Sequence, residues 1–83
     1  MAQLKVKVID RTGVVYDGEA DSLSSVNDKG TFDILEQHAR FISLIQKELT
    51  IRKKGSQNKL IPVSNGVLRV YGEKVDVFLG IKA

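Results

Sequence analysis

The stretch LKVKV, residues 4–8, alternates apolar and charged side chains, with Leu4, Val6 and Val8 separated by two lysines. Because successive side chains of a β-strand point to opposite faces, this period of two predicts a strand with one buried face. The stretch VDVFLGI, residues 75–81, repeats the pattern near the other end of the chain. We therefore expect half-buried strands at both ends of the sequence.

Short apolar segments separated by turn residues fill the sequence between these two strands. The segments are GVVYDG, DSLSSV, TFDIL, FISLI, ELTIRKK, KLIPVS and GVLRVY. Each is rich in Val, Ile, Leu or Phe, and pairs such as Asn65-Gly66 are typical of hairpin turns. No stretch of twelve residues carries a sustained helical period. The pattern predicts an all-β domain of about nine to ten short antiparallel strands, packed as a sandwich or flattened barrel, with Pro62 on an edge strand or at a bulge.

The inward positions of these strands predict the core. Its expected members are Leu4, Val6, Val8, Phe32, Ile34, Leu49, Ile51, Ile61, Val63, Leu68, Val70, Val75, Val77 and Leu79. The same alternation places Phe78 on the outer face beside Asp76. An outward phenylalanine is either covered by another element or part of an interaction surface.

Composition limits the classes of protein to which the chain can belong. Its 83 residues form a single domain, residues 1–83, and the absence of cysteine excludes disulfides and thiolate metal sites. The amino-terminal sequence lacks the apolar core of a signal peptide, and no run is long enough to span a membrane. The charge is uneven, because residues 17–36 are mainly acidic and residues 47–59 mainly basic. Such a chain is either oriented between two partners or simply well solvated.

The single histidine, His38, lies in GTFDILEQHA, residues 30–39. A metal site would need further ligands, and a general base would need an orienting acid, whereas Glu36 points to the opposite side of an extended segment. The sequence also contains no phosphate-binding loop. We therefore predict no catalytic residue, no metal and no cofactor, and an enzyme that uses His38 is the weakest alternative.

A second alternative comes from the basic hairpin TIRKKGSQNK, residues 50–59. Clustered cations suggest a small basic β-barrel module that binds nucleic acid, but the neighbouring strands lack the interleaved aromatic side chains on which bases stack. Nucleic acid is accordingly not the expected partner.

Three motifs resemble one protein family in their order and spacing. They are G-x-F-x-I-L-x-x-H-A at residues 30–39, VSNGVLRV at residues 63–70, and a final strand preceded by a turn. Together they resemble the β-sandwich domain of the epsilon subunit of rotary ATP synthases, which is called delta in mitochondria, and the likeness covers essentially the whole chain. The resemblance implies a non-catalytic rotor subunit that docks on the gamma subunit and on the membrane c-ring, coupling proton or sodium flow to ATP synthesis.

The resemblance also implies two sets of interface residues. The residues expected to face gamma are Asp10, Arg11, His38, Ala39, Arg40, Ile42 and Ser43. The residues expected to face the c-ring are Asp28, Lys29, Gly30, Thr31 and Asp33. Gln37 and Arg40 replace the glycine and proline usual around the His-Ala pair, and Thr31 replaces a frequent acid, which leaves Asp28 or Asp33 to pair with the ring.

The family's second domain, a helical hairpin that can block rotation, has no counterpart in these 83 residues. The resemblance therefore predicts coupling without epsilon-type autoinhibition. It also predicts a peripheral position at the cytoplasmic face of a bacterial membrane, or at the inner face of an organelle, with membrane contact only through the ring.

Overall fold

The computed structural model describes residues 4–34 and 40–80, and strands make up 79% of them. The strands are β1 Leu4–Asp10, β2 Gly13–Ala20, β3 Ser22–Asn27, β4 Gly30–Ile34, β5 Phe41–Arg52, β6 Lys59–Tyr71 and β7 Lys74–Leu79. The all-β prediction is confirmed, and the described residues include no helix and hence none that could cross a membrane. The predicted count of about nine to ten strands is wrong, because the described parts of the chain contain seven.

The strands form one continuous hydrogen-bonded sheet in the order β2-β1-β7-β6-β5-β3-β4. Neighbouring strands are antiparallel except β1 and β7, which run parallel. The expectation of a purely antiparallel arrangement therefore fails for this one pair, which brings the two ends of the described chain together.

Two long strands explain the lower count. β5 contains both FISLI and part of ELTIRKK, while β6 contains both KLIPVS and GVLRVY. Residues 41–45 of β5 pair with residues 66–70 of β6, the pairing register then shifts, and residues 47–51 pair with residues 59–63. Each strand therefore serves two parts of the sheet.

This change of register divides the sheet into two parts, which we call the first half and the second half. The first half consists of β2, β1 and β7 with residues 66–71 of β6 and residues 41–45 of β5. The second half consists of residues 59–63 of β6, residues 46–52 of β5, β3 and β4.

Both halves contribute to a single apolar core. Val6, Val77 and Leu68 of the first half and Leu23 and Leu49 of the second are all buried in the same cluster. At one end the rings of Phe32 in β4 and Phe41 in β5 lie 5.6 Å apart between centroids, so aromatic packing also joins the halves. The bent sheet therefore packs on itself.

Most of the predicted core is confirmed. Phe32, Ile34 and Leu79 are only partly buried and pack against the cluster from its margin. Ala20 and Ile45 are buried although the alternation did not select them.

Pro62 lies at an edge, as predicted. Within the second half, residues 59–63 of β6 pair with β5 alone among the described strands, and Pro62 lies opposite Glu48. Proline is tolerated at such an edge, where one side of the strand has no partner in the ladder.

Candidate docking surface

An apolar row crosses the outer face of the first half. Direct pairing places Leu44 beside Val67, Val67 beside Phe78, Phe78 beside Ile9 and Ile9 beside Val14. Paired residues of adjacent strands project to the same side of a sheet, so these five side chains form one line, which we call the apolar row. Leu44 is 74% exposed and Val14 58%, while the three central members are half-buried.

A row of charged side chains lies beside the apolar row. The pairing sets Arg69 beside Asp76, Asp76 beside Lys7 and Lys7 beside Asp17, so the sign of the charge alternates across four strands. The Arg69 and Asp76 side chains form an ion pair of 2.8 Å, and the hydrogen bond to Asp76 raises the pKa of Arg69. Of these charges, Arg69 and Asp76 form the ion pair among the described residues. The apolar row has no covering element among those residues.

The outer face of the second half is more polar. The Arg52 guanidinium donates a hydrogen bond to the Ser24 hydroxyl, which donates in turn to the Asp33 carboxylate. Among the described large apolar side chains of this half, Leu60 is strongly exposed, at 61%. Exposed apolar surface on the described chain is thus concentrated on the first half.

Asp10 and Arg11, two of the residues predicted to face gamma, follow Ile9, the member of the apolar row next to Val14. The Asp10 carboxylate accepts hydrogen bonds from the Thr12 amide at 2.8 Å and from the Thr12 hydroxyl at 2.6 Å. The bond from the hydroxyl, and after it the bond from the amide, lowers the pKa of Asp10 below its usual value. Asp10 therefore keeps a negative charge in the β1–β2 turn.

The other gamma candidates are distributed less uniformly. Ile42 is 70% exposed and shares the outer face with Leu44, and exposed Arg40 precedes it. Ser43 points to the opposite side, where its hydroxyl donates to the Leu44 carbonyl oxygen at 3.0 Å. The structure thus brings Ile42, but not Ser43, to the docking face, while His38 and Ala39 lie outside the described residues.

The residues predicted to face the c-ring form the β3–β4 hairpin turn. Asp28 and Lys29 are its two central residues, and Gly30 follows with a φ of 120°, a conformation that favours glycine. Asp28 and Thr31 are exposed, and in the described part of the chain no side chain pairs with the Asp28 carboxylate. Because Asp33 is already bonded to Ser24, Asp28 is the acid of this turn that remains available.

Sequence reasoning identified part of this surface and missed the rest. Alternation placed Phe78 on the outer face, where the structure sets it half-buried between Val67 and Ile9 in the apolar row. Leu44, Val67 and Val14 were missed, because only the pairing register aligns residues from strands distant in the sequence. Ile9 could have been found, since it follows the lysines of β1 on the outer side.

Nothing in this surface suggests reaction chemistry. Among residues 4–34 and 40–80, no three histidine or acidic side chains come together as a metal site requires. The row offers apolar contact, and the β3–β4 turn offers a charge, which together suit protein association.

Residues 3–80 match the model of the family described as ATP synthase, Delta/Epsilon chain, beta-sandwich domain. The ATP synthase epsilon chain of Helicobacter acinonychis is 36% identical over 77 residues, which are 93% of this chain and 63% of that protein. The corresponding chain of Sulfurimonas denitrificans is 30% identical over 80 residues, which are 95% of this chain and 62% of that protein. The sequence therefore spans about three-fifths of the length of these relatives.

Solved structures show the same fold. A chain of the Euglena gracilis mitochondrial ATP synthase, in a structure of OSCP, F1 and the c-ring, aligns with a TM-score of 0.86 at 15% identity, covering 95% of this chain and 51% of its own length. A chain from the central stalk and c-ring of the Tetrahymena thermophila mitochondrial ATP synthase aligns with a TM-score of 0.69 at 13% identity. The alignment covers 92% of this chain and 62% of that one. The family match over nearly the whole sequence shows that this chain belongs to the delta/epsilon family of ATP synthase subunits and corresponds to its β-sandwich domain.

Proposed function

We propose that this domain is a non-catalytic rotor element that docks on the gamma subunit through the outer face of the first half. The apolar row carries the proposal, because it crosses five strands and ends in two strongly exposed side chains. A standard interface buries about 800 Å² per partner, a small part of the 5584 Å² surface of this domain. The row with its flanking residues is large enough to form the centre of such an interface.

The β3–β4 turn is the proposed contact with the c-ring. Its support is the exposed carboxylate of Asp28, which has no partner among the described side chains at the tip of a tight hairpin, and the presence of c-ring complexes among the structural relatives. A domain held between gamma and the ring would transmit rotation driven by ion flow to the sites of ATP synthesis without reacting itself. It would lie at the membrane surface, on the cytoplasmic side in a bacterium, and touch the membrane only through the ring.

The bent sheet supports a sandwich rather than a flattened barrel. β2 and β4, the two ends of the strand order, belong to different halves, and no pairing closes them into a ring among the described strands. Two faces packed on one core give a rigid body with two distinct outer surfaces, as a rotor element between two partners requires.

The nucleic-acid alternative has weaker support. Exposed Lys53 and Lys54 lie in the β5–β6 turn, and the Lys59 ammonium lies 6.0 Å from the centre of the Tyr16 ring. The Tyr16 hydroxyl donates to the carbonyl oxygen of Glu19 at 2.8 Å, which fixes this ring against its own strand. The tip therefore offers charge without a platform for stacked bases.

Two leucine substitutions test the docking proposal. Leu44→Lys places a charge at the end of the apolar row and should weaken binding to the cognate gamma subunit at least about tenfold, as expected for an apolar interface anchor. Leu60→Lys is the matched control, because Leu60 is exposed to a similar extent on the second half. Calorimetry with purified gamma measures both affinities, and circular dichroism checks the fold. Equal affinities for the two variants and the unsubstituted chain would refute docking through the row.

We also propose that these 83 residues support coupling without inhibiting ATP hydrolysis, since their described part consists of strands and turns and the family's inhibitory element is helical. Reconstituted ATP synthase carrying this chain should hydrolyse ATP at the same rate before and after the domain is released. A variant with a grafted helical hairpin is the positive control for inhibition. Strong inhibition by the 83 residues alone would contradict this proposal and leave docking unaffected.

A further inference from the structure

The bent sheet has four open edges among the described strands, and three of them carry features that discourage strand pairing. β2 carries Asp17 and Glu19, β4 is only five residues long, and the edge of β6 contains Pro62. Charge, shortness and proline are the usual devices by which natural sheets avoid pairing with another chain.

The fourth edge, residues 41–45 of β5, has none of these features. Its sequence, FISLI, contains no charge and no proline, and Ile42 and Leu44 are 70% and 74% exposed. β3 pairs with β5 only as far as Val26 opposite Gln46. Beyond that point the described contact is between side chains, with Asn27 Nδ2 donating to Ser43 Oγ at 3.3 Å.

A groove lies over this part of β5 and the adjoining part of β6. It has a volume of about 580 Å³ and is lined by residues 42–46 of β5, residues 64–67 of β6 and Asp28. An extended peptide has the shape that fits along an unpaired strand, since its backbone supplies the missing hydrogen-bond partners and its alternate side chains can pack on Ile42 and Leu44.

We propose that the gamma subunit, when docked on the apolar row, adds an extended segment as a β-strand along residues 41–45. This inference rests on the proposed function, because Leu44 belongs to both the row and the edge. A partner that covers the row therefore reaches the edge as well. Five residues of strand bury much less than the roughly 800 Å² that a stable interface needs, so the edge is better suited to extending a larger interface than to joining two copies of this chain.

Hydrogen exchange followed by NMR, with the whole chain free and bound to purified gamma, tests the proposal. In the free chain, the amides of residues 41–45 that point away from β6 should exchange quickly. Strand addition should slow them at least about tenfold, since they become paired backbone donors. The amides of β4 that point away from β3, on the second half, are the matched control and should exchange equally fast in both states.

The other outcomes separate this inference from the proposed function. Protection of the Val14 and Leu44 methyl groups by gamma, with unchanged exchange at residues 41–45, would overturn strand addition and leave docking intact. If neither the methyl groups nor the amides respond to bound gamma, both proposals fail. If the free chain already protects these amides and sediments as a dimer, the edge is occupied by a second copy, which also overturns the inference.

Discussion

Gly66 is the residue at which a side chain is excluded most directly by its neighbours. A Cβ built there would lie 2.8 Å from the Phe78 carbonyl oxygen and 3.2 Å from a Leu79 methyl group. The Phe78 oxygen belongs to the backbone of β7, so it cannot rotate away. The glycine is therefore required by the close approach of β6 and β7, rather than by a turn.

Gly66→Ala should lower the free energy of unfolding by about 1–3 kcal/mol, the usual cost of overpacking in a closely packed interior. Gly18→Ala is the control, because its Cβ would lie 3.3 Å from the end of the Tyr16 side chain, a wider gap than the 2.8 Å to backbone at Gly66. We expect the control to cost about 1 kcal/mol or less. Urea denaturation of both variants measures the difference, and equal costs would show that β7 shifts to accommodate the methyl group.

Lys47 is the described non-glycine residue with a positive φ, 71°. The left-handed conformation costs an ordinary residue about 1–2 kcal/mol, and glycine adopts it without that strain. Glycine also loses more conformational entropy on folding, which offsets about 0.5–1 kcal/mol of the strain that is relieved. Lys47→Gly should therefore leave stability unchanged or raise it.

The neighbouring substitution Glu48→Gly provides the contrast, because Glu48 is an exposed strand residue without a positive φ. It should cost about 0.5–1 kcal/mol. Thermal unfolding compares the stabilities of the two variants. A Lys47→Gly protein less stable than the Glu48→Gly protein would contradict the strain argument.

At the scale of the elements, the sequence revealed that strands were present but not that two of them were continuous. In β6 the buried positions are Ile61 and Val63, then Gly66, Leu68 and Val70, so the alternation slips by one residue between Val63 and Gly66. The Asn65-Gly66 pair, typical of a hairpin turn, predicts that a strand ends there. A bulge in a bending strand produces the same pattern, and only long-range pairing distinguishes the two.

The same reasoning explains what was predictable at the docking face. Alternation within one strand fixes the face of each side chain, so Phe78 and most of the core were found from local sequence. The line from Leu44 to Val14 depends on register between strands that are far apart in the chain, which periodicity does not encode.

The bulge in β5 predicts a stability difference between two adjacent serines. Ser25 is opposite Leu49 while Val26 is opposite Gln46, so Lys47 and Glu48 have no partner on β3. Ser25 is only 2% exposed, and its hydroxyl donates a hydrogen bond to the Glu48 carbonyl oxygen at 2.8 Å. The bulge interrupts the β3–β5 ladder at Glu48, so this hydrogen bond provides the Glu48 carbonyl oxygen with a donor from β3.

Ser25→Ala should cost about 1–3 kcal/mol, because it leaves that carbonyl without its donor in a region sheltered from water. Ser24→Ala should cost about 0.5 kcal/mol or less, since Ser24 faces outward, where water can replace its partners. Chemical denaturation compares the two variants. A Ser24→Ala protein as unstable as the Ser25→Ala protein would show that the bulge does not depend on the buried hydroxyl.

At the scale of the whole molecule, exposed apolar side chains and clustered cations lie on different parts of the domain. The first half presents apolar side chains beside a row of charges of alternating sign, whereas the β5–β6 turn concentrates cations. An apolar contact with gamma and an electrostatic contact with a polyanion would therefore use different parts of the domain. They would also respond differently to salt.

Salt titration distinguishes these modes of binding. The four cations at the tip, Arg52, Lys53, Lys54 and Lys59, would give nucleic-acid affinity a slope near −0.9 per charge against the logarithm of salt, a loss on the order of a hundredfold between 50 and 200 mM. Affinity for gamma should change less than about tenfold over this range, since the apolar row offers uncharged contacts and Arg69 beside it is already paired with Asp76. The double variant Lys53→Glu with Lys54→Glu should leave gamma affinity unchanged and abolish any binding of oligonucleotide. A hundredfold salt dependence for gamma, lost in that variant, would move the docking site from the apolar row to the basic tip.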